Sequence, residues 1–329
     1  MKKTFIILGL VSILFFGFVG ESFAVTVMPP VLEGIVVEPG KVYEGSYRIR
    51  NETDSPRIYY FMARNFDARG EEGDAGLASE EDSQMGLASW VEFEFPFMLV
   101  MVGETKEINF KIKVPSDAEP GGHYAALFTS TEPPGSEQSG GVGLGENTGV
   151  LTLVTVPGNI RQGADLVEFS LASGKKVFNR PPVEFLIRIK NSGNVHFKPI
   201  GDISVSGWIG ASALIAANPK KGNILPNSIR AFHPIWRGPE ERGSFVQELK
   251  NEWHNFGFGR YTAHLEMAWQ DDPDEKIIGN LKFWIIPWHL MLVGLAILAI
   301  LYLMLRSYNK AIIKMAQKKN EIKEEVEKK

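Results

Sequence analysis

The chain has no cysteine in its 329 residues. That excludes disulfide staples, thiol nucleophiles and cysteine-ligated zinc, so each domain must hold itself together by burial alone. The signatures of catalysis are missing too. The six histidines (His123, His196, His233, His254, His264 and His289) form no H-E-x-x-H or other metal-ligand spacing. There is no Gly-x-Ser-x-Gly elbow, Walker loop or dinucleotide fingerprint, and the glycine-rich Gly140–Gly145 lacks the following lysine and helix of a phosphate cradle. The acidic run Asp271-Asp272-Pro273-Asp274-Glu275 lacks the glycine and register of a calcium loop, and reads as a solvated hairpin tip between two strands. The sequence therefore reads as a non-enzyme without cofactor or metal, and it assigns no catalytic or ligand-binding residue.

Long hydrophobic runs occur only at the two ends. Lys2 and Lys3 precede an apolar run from Phe5 to Val19, and Ser22-Phe23-Ala24 offers small residues where a signal peptidase reads. Residues 1–24 are thus expected to be a secretory signal. At the other end, residues 287–305 form an expected transmembrane helix, bordered by Trp284 and Trp288 on one side and Tyr302 and Tyr308 on the other. Arg306, Lys310, Lys314, Lys318 and Lys319 follow at once, so the tail 306–329 is expected in the cytoplasm. Everything between would face outward, held to the cell membrane by a single C-terminal anchor. From Val25 to Leu305 there are 25 basic and 34 acidic residues. A net charge of −9 attracts neither nucleic acid nor anionic lipid, so no nucleic-acid partner is expected.

The outward part shows short alternating runs broken by Gly, Pro, Asn and Asp, and no convincing amphipathic helix. In Thr105–Val114 the residues Ile108, Phe110, Ile112 and Val114 point one way, and Asn109, Lys111 and Lys113 the other. Val183, Phe185, Ile187 and Ile189 repeat the pattern, as do Tyr261, Ala263, Leu265, Met267 and Trp269. Two landmarks recur: Tyr47-Arg48-Ile49-Arg50-Asn51 matches Ile187-Arg188-Ile189-Lys190-Asn191, and Gly122-His123-Tyr124 matches Gly259-Arg260-Tyr261. Their separations, 73 positions from Asn51 to Tyr124 and 70 from Asn191 to Tyr261, are nearly equal. The expected fold class is all-β: two tandem immunoglobulin-like antiparallel β-sandwiches over 25–160 and 161–286, plus the C-terminal transmembrane α-helix. The Gly-then-Tyr pair would open strand F, where a tyrosine ties down a corner. The Asn51-Glu52-Thr53 sequon reads as coincidence.

Two loops stand out by length, Asn65–Ser89, which is acidic and glycine-rich, and Thr131–Gly149; both read as mobile connections. Of the tryptophans, Trp90 and Trp269 sit in or beside strand patterns and read as core. Trp208 and Trp253, with Phe256 and Phe258 nearby, are free to line a partner surface.

Val37-Glu38-Pro39-Gly40, the strand ending at Asn51, Ala88-Ser89-Trp90-Val91 and the stretch Val114-Pro115-Ser116-Asp117-Ala118-Glu119-Pro120-Gly121-Gly122-His123-Tyr124 follow one another in a familiar order. This order resembles the N-terminal, peptidoglycan-binding domain of the WxL-interacting protein family of Gram-positive cell surfaces. The layout resembles that family over the whole chain, and the motifs over Val31–Val156. The second domain, with Asn191-Ser192-Gly193-Asn194-Val195-His196, reads instead like a generic bacterial immunoglobulin-like module. The resemblance implies a single-pass, membrane-anchored bacterial cell-surface scaffold whose domains bind cell-wall peptidoglycan or a surface protein. The first domain also resembles pilus chaperones, whose two immunoglobulin-like domains lend a strand to a subunit. The alternative expectation is accordingly a chaperone-like assembly factor for exported or pilus-like subunits, and a plain spacer is a third.

Overall fold

In a computed structural model, the described residues are 25–79, 82–134, 147–210, 212–237, 243–269 and 272–327. The expected signal 1–24 lies outside them, as do 135–146 of the second long loop and Asp271 of the acidic turn. The chain divides into two compact units, the first ending its main run at Gln162 and the second opening at Gly163.

The first unit holds β1 (Val25–Met28), β2 (Val31–Val36), β3 (Val42–Asn51), β4 (Arg57–Arg69) and β5 (Asp74–Leu77). A short helix α1 (Leu87–Trp90) leads to β6 (Val91–Phe93), β7 (Phe97–Val100), β8 (Thr105–Lys113), β9 (Gly121–Ser130) and β10 (Asn147–Val156). One sheet runs β1-β3-β8-β6; the other runs β2-β10-β9-β4-β5, with β7 also on β4. The chain changes sheets between β1, antiparallel to β3, and β2, parallel to β10. Alternation dictates which side chains meet between the sheets. Ile108, Phe110 and Ile112 of β8 are buried while Asn109, Lys111 and Lys113 face water, as a strand with one wet face requires. They pack with Tyr47, Ile49, Tyr59, Leu127 and Val150 into one core.

The second unit holds β11 (Ala164–Leu171), β12 (Val177–Phe178), β13 (Val183–Asn191), β14 (Pro199–Gly210), β15 (Ala213–Ala216), β16 (Ile229–Phe232) and β17 (Ile235–Trp236). Helix α2 (Phe245–His254), β18 (Gly257–Trp269), β19 (Asp272–Ile285) and helix α3 (Trp288–Glu327) complete it. Its sheets are β11-β13-β16, with β17 also on β13, and β12-β19-β18-β14-β15. Val183, Phe185, Ile187 and Ile189 meet Tyr261, Ala263, Leu265 and Met267 in the core between them. The described residues are thus mostly β and immunoglobulin-like, with a C-terminal apolar helix long enough to cross a membrane.

Three expectations need correcting. The described residues are mostly β, but helix α2 forms where no amphipathic helix was expected. Its Phe245, Val246 and Trp253 are exposed, so they make no inward apolar stripe to read. The Asn65–Ser89 segment is not a loop throughout: β4 continues through Arg69 and turns back as β5, pairing Phe66 with Leu77 and Arg69 with Asp74. Gly70 and Gly73 supply the positive φ that this turn needs. Asp67, Glu72 and Asp74 face water and hide the strand alternation. Finally, Tyr261 ties no local corner. Its hydroxyl donates across the sheet to the Ile209 carbonyl at 2.6 Å, and its ring is fully buried. Tyr261→Phe should therefore cost about 1 kcal/mol in the second unit, the worth of one hydrogen bond, measured as a shift in its denaturant midpoint.

The base of the second unit carries an ion pair with a readable pH signature. Arg180, itself buried, lies 3.1 Å from Glu248 of α2. The guanidinium holds the Glu248 carboxyl below the usual glutamate range. A depressed carboxylate stabilises the fold above its unfolded value and loses that contribution as pH falls through the folded one. Glu248→Gln should thus lower stability by roughly 2 kcal/mol at neutral pH. The gap to the parent should close as pH falls below 4.5, the ordinary glutamate value. Parallel urea titrations at neutral and acid pH check this.

Candidate partner-binding edge

Beside β4, in the larger sheet of the first unit, β7 is where the described residues leave an edge open. The run from Phe95 to Gly103 contains no charged residue. Its register on β4 pairs Arg57 with Val100, Ile58 with Leu99, Tyr59 with Met98 and Tyr60 with Phe97. The Phe61 amide adds a bond to the Pro96 carbonyl at 2.9 Å. Among the described residues, β4 is the sole strand partner of β7, so its other main-chain side is an edge.

Strand alternation sends Val100 into the core, fully buried, and turns Phe97 and Leu99 outward, each 54% exposed. Phe95 and Met101 extend the same row beyond the strand ends and are exposed as well. Ile58 and Tyr60 lie beside them on β4, with the Tyr60 and Phe97 rings 5.8 Å apart. The outer face continues apolar across the sheet: Met62 pairs with Phe128 on β9, and Leu151 of β10 with Ala126. A sandwich in water ordinarily makes its outer faces polar, as β8 does. A long, uncharged apolar edge is the kind of strand that soluble proteins blunt with lysine, bulges or covering loops. Here none of the residues from Phe95 to Gly103 is a lysine.

One residue holds this edge in place. Asn51, fully buried at the end of β3, donates its amide to the Val100 carbonyl at 3.1 Å and to the Ser55 carbonyl at 2.9 Å. Its carbonyl accepts from the Thr53 amide, the Thr53 hydroxyl and the Tyr59 hydroxyl. Asn191, its repeat partner, is equally buried and reaches the Ile224 carbonyl at 2.9 Å. An asparagine at a strand end suits a turn on local grounds. Asn51 and Asn191 are buried amides that lock a turn to a neighbouring strand, and the Asn51 sequon is closed to a glycan in the folded state.

Other sequence-marked residues fall elsewhere. Trp269 and Trp236 are buried core residues, and Trp90 is half-buried against the first core with its ring 4.6 Å from that of His123. His264 lies on an exposed strand face and meets the Asn280 side chain at 2.9 Å. Among the described residues no three His, Asp or Glu side chains gather at a metal-binding distance. A cavity of about 1010 Å³ in the second unit is walled by Val177, Phe178, Pro181, Ile235 and Trp288. Its Arg180 and Glu248 are engaged with each other. Sequence reasoning missed β7 because nine uncharged residues without alternation read equally as a buried core strand.

No family model matches this chain. No curated protein matches it either. Solved structures do show likeness. The class 5 fimbriae chaperone CfaA is similar at 13% identity and a TM-score of 0.37, covering 78% of this chain and 98% of that one. The E. coli chaperone DraB is similar at 11% identity and a TM-score of 0.35, over 80% of this chain and 97% of that one. The Salmonella enterica SafA pilin–SafB chaperone complex gives 8% and 0.36, over 79% and 98%. Overlaps this loose assign no function.

Proposed function

We propose that this chain is a membrane-anchored, non-enzymatic assembly factor of the bacterial envelope, acting like a chaperone on exported polypeptides. In this reading two tandem immunoglobulin-like domains stand outside the cell membrane, α3 crosses it once, and the basic tail is cytoplasmic. The carrying observation is the β7 edge, left without a second strand partner among the described residues, with its outward row Phe95, Phe97, Leu99 and Met101. An extended client segment added to this edge would satisfy the free main-chain groups of β7 while burying its own apolar side chains beside that row. Support comes from this edge rather than from the loose likeness to fimbrial chaperones.

The second reading is a wall-binding scaffold, favoured by the first-domain motifs that resemble WxL-interacting proteins. One experiment separates the two. The full chain in nanodiscs is mixed with purified bare sacculi, and separately with exported host proteins diluted from urea. The chaperone reading expects suppressed light scattering from the diluted proteins and no sedimentation with sacculi. Sedimentation with bare sacculi and undiminished scattering would replace it with the scaffold.

A further inference from the structure

The large aromatic rings that the second unit exposes gather at one end, the end from which α3 leaves. Trp208 lies near the end of β14, where Ile209 pairs with Phe258 at the start of β18. Trp284, near the end of β19, pairs with Arg260, and its ring sits 5.8 Å from that of Trp208. Trp288 begins α3. Trp208 is 64% exposed and Trp253 of α2 is 72% exposed, unusual values for the largest apolar side chain.

These rings cannot stand far from the helix. Only Ile286 and Pro287 separate β19 from α3, and the three Cα steps from Ile285 to Trp288 span at most about 11 Å. Helix α2 is pinned to the same place. Its buried Glu252 accepts from the Leu290 amide at 2.9 Å and meets the His289 ring nitrogen at 2.5 Å. The carboxylate thus caps the first turn of α3, where an anion is favoured. Phe245 of α2 also stacks edge-on against His289 at 5.3 Å. Along α3 the next large ring pair, Tyr302 and Tyr308, follows on the other side of the apolar stretch. Trp288 to Tyr308 is 20 residues, about 30 Å of helix, the thickness of a bilayer's hydrocarbon core.

We infer that the base of the second unit, with Trp208, Trp253, Phe258 and Trp284 as its contact rings, is seated in the headgroup layer of the bilayer that α3 crosses. Trp and Tyr favour that layer because one side of the ring is apolar and the other carries a polar edge. Helix α2 lies along the membrane surface with Val246 and Trp253 dipping in, the habit of an interfacial helix. Arg260, whose guanidinium sits 6.0 Å over the Trp208 ring, offers its charge to lipid phosphates. The unit is thereby fixed in tilt against the membrane instead of swinging on a tether. This inference rests on the reading that α3 spans the membrane.

The absence of cysteine makes the test clean. Full-length chains carrying Trp208→Cys, Trp253→Cys, Lys190→Cys or Leu298→Cys are spin-labelled and reconstituted in phosphatidylcholine–phosphatidylglycerol vesicles. Lys190 lies at the far end of β13 from Val183 and serves as the aqueous reference. Labels at 208 and 253 should collide several-fold less with a water-soluble nickel complex than the label at 190. Labels at 208 and 253 as accessible as that at 190, with the label at 298 in lipid, overturn the seating alone. A label at 298 that is also aqueous overturns the membrane-spanning reading beneath it. Should the cysteine variants unfold, Trp208→Phe and Trp253→Phe replace them. Each should shrink the fraction of tryptophan emission quenched by lipids brominated near the headgroup, and an unchanged fraction overturns the seating.

Discussion

Leu99→Lys should leave the first unit folded and cut its hold on an exported client about tenfold, with Phe97→Asp added bringing the loss to about a hundredfold. Leu99 is half exposed and faces away from the core, opposite Ile58. A lysine there keeps its stem on the apolar face and its charge in water, so stability should change by no more than about 0.5 kcal/mol. A client strand laid on the edge would bury the exposed half of each side chain. Full burial of a leucine or phenylalanine is worth about 1.5–3 kcal/mol, so half is about 0.8–1.5 kcal/mol, whose upper end is tenfold. Lysine is also the residue that edge strands use to refuse pairing. The control is Glu107→Gln on β8, an equal +1 charge change on the exposed face of the other sheet. Fluorescence anisotropy with a labelled client segment, beside a urea melt for each variant, checks both halves. An unfolded Leu99→Lys variant would mean that the row is core and not contact surface.

Asn51→Ala should destabilise the first unit by about 3 kcal/mol, the largest stability effect expected of a single change here. The side chain is fully buried, and its loss removes a donor from the Val100 and Ser55 carbonyls and an acceptor from the Tyr59 hydroxyl and the Thr53 amide and hydroxyl. The Thr53 hydroxyl and the Ser55 carbonyl keep each other, at 2.9 Å. Neutral buried groups left without partners cost about 1–3 kcal/mol each, partly recovered by water where the site opens. Because one of the lost bonds holds the end of β7, hydrogen exchange of the β7 amides should rise before the rest of the unit unfolds. Asn191→Ala makes the companion test in the second unit, where the same buried amide reaches Ile224. A change below 1 kcal/mol at Asn51, by urea titration, would contradict its role as the lock of this edge.

How far the fold could be read in advance depended on how each strand meets water. β8, β13 and β18 have one buried and one solvated face, so their period of two was visible in the residues themselves. β7 has an apolar residue on both faces, one row in the core and one exposed, and that erases the period. Its exposure follows from its place at the end of the sheet, a tertiary fact that no local pattern encodes. The same holds for Asn51. An asparagine after a strand favours a turn on local grounds, and the turn is there, but the burial of its amide depends on Val100 arriving from β7, 49 positions on. The β4–β5 hairpin was hidden by acidic residues on its wet side. The exposed rings of Trp208 and Trp253 were legible as unplaced, whereas their gathering at the base of α3 required the register of β14, β18 and β19.

The most direct test places a photo-activated crosslinking residue at position 99 of the full chain, in the living host, with a second chain carrying it at position 107. Adducts are expected at 99 with exported polypeptides, each mapping by digestion to one extended segment of alternating apolar residues, and none of these at 107. Adducts at 99 that carry only wall glycan, or exported polypeptides captured equally at 107, would contradict a client-binding β7 edge.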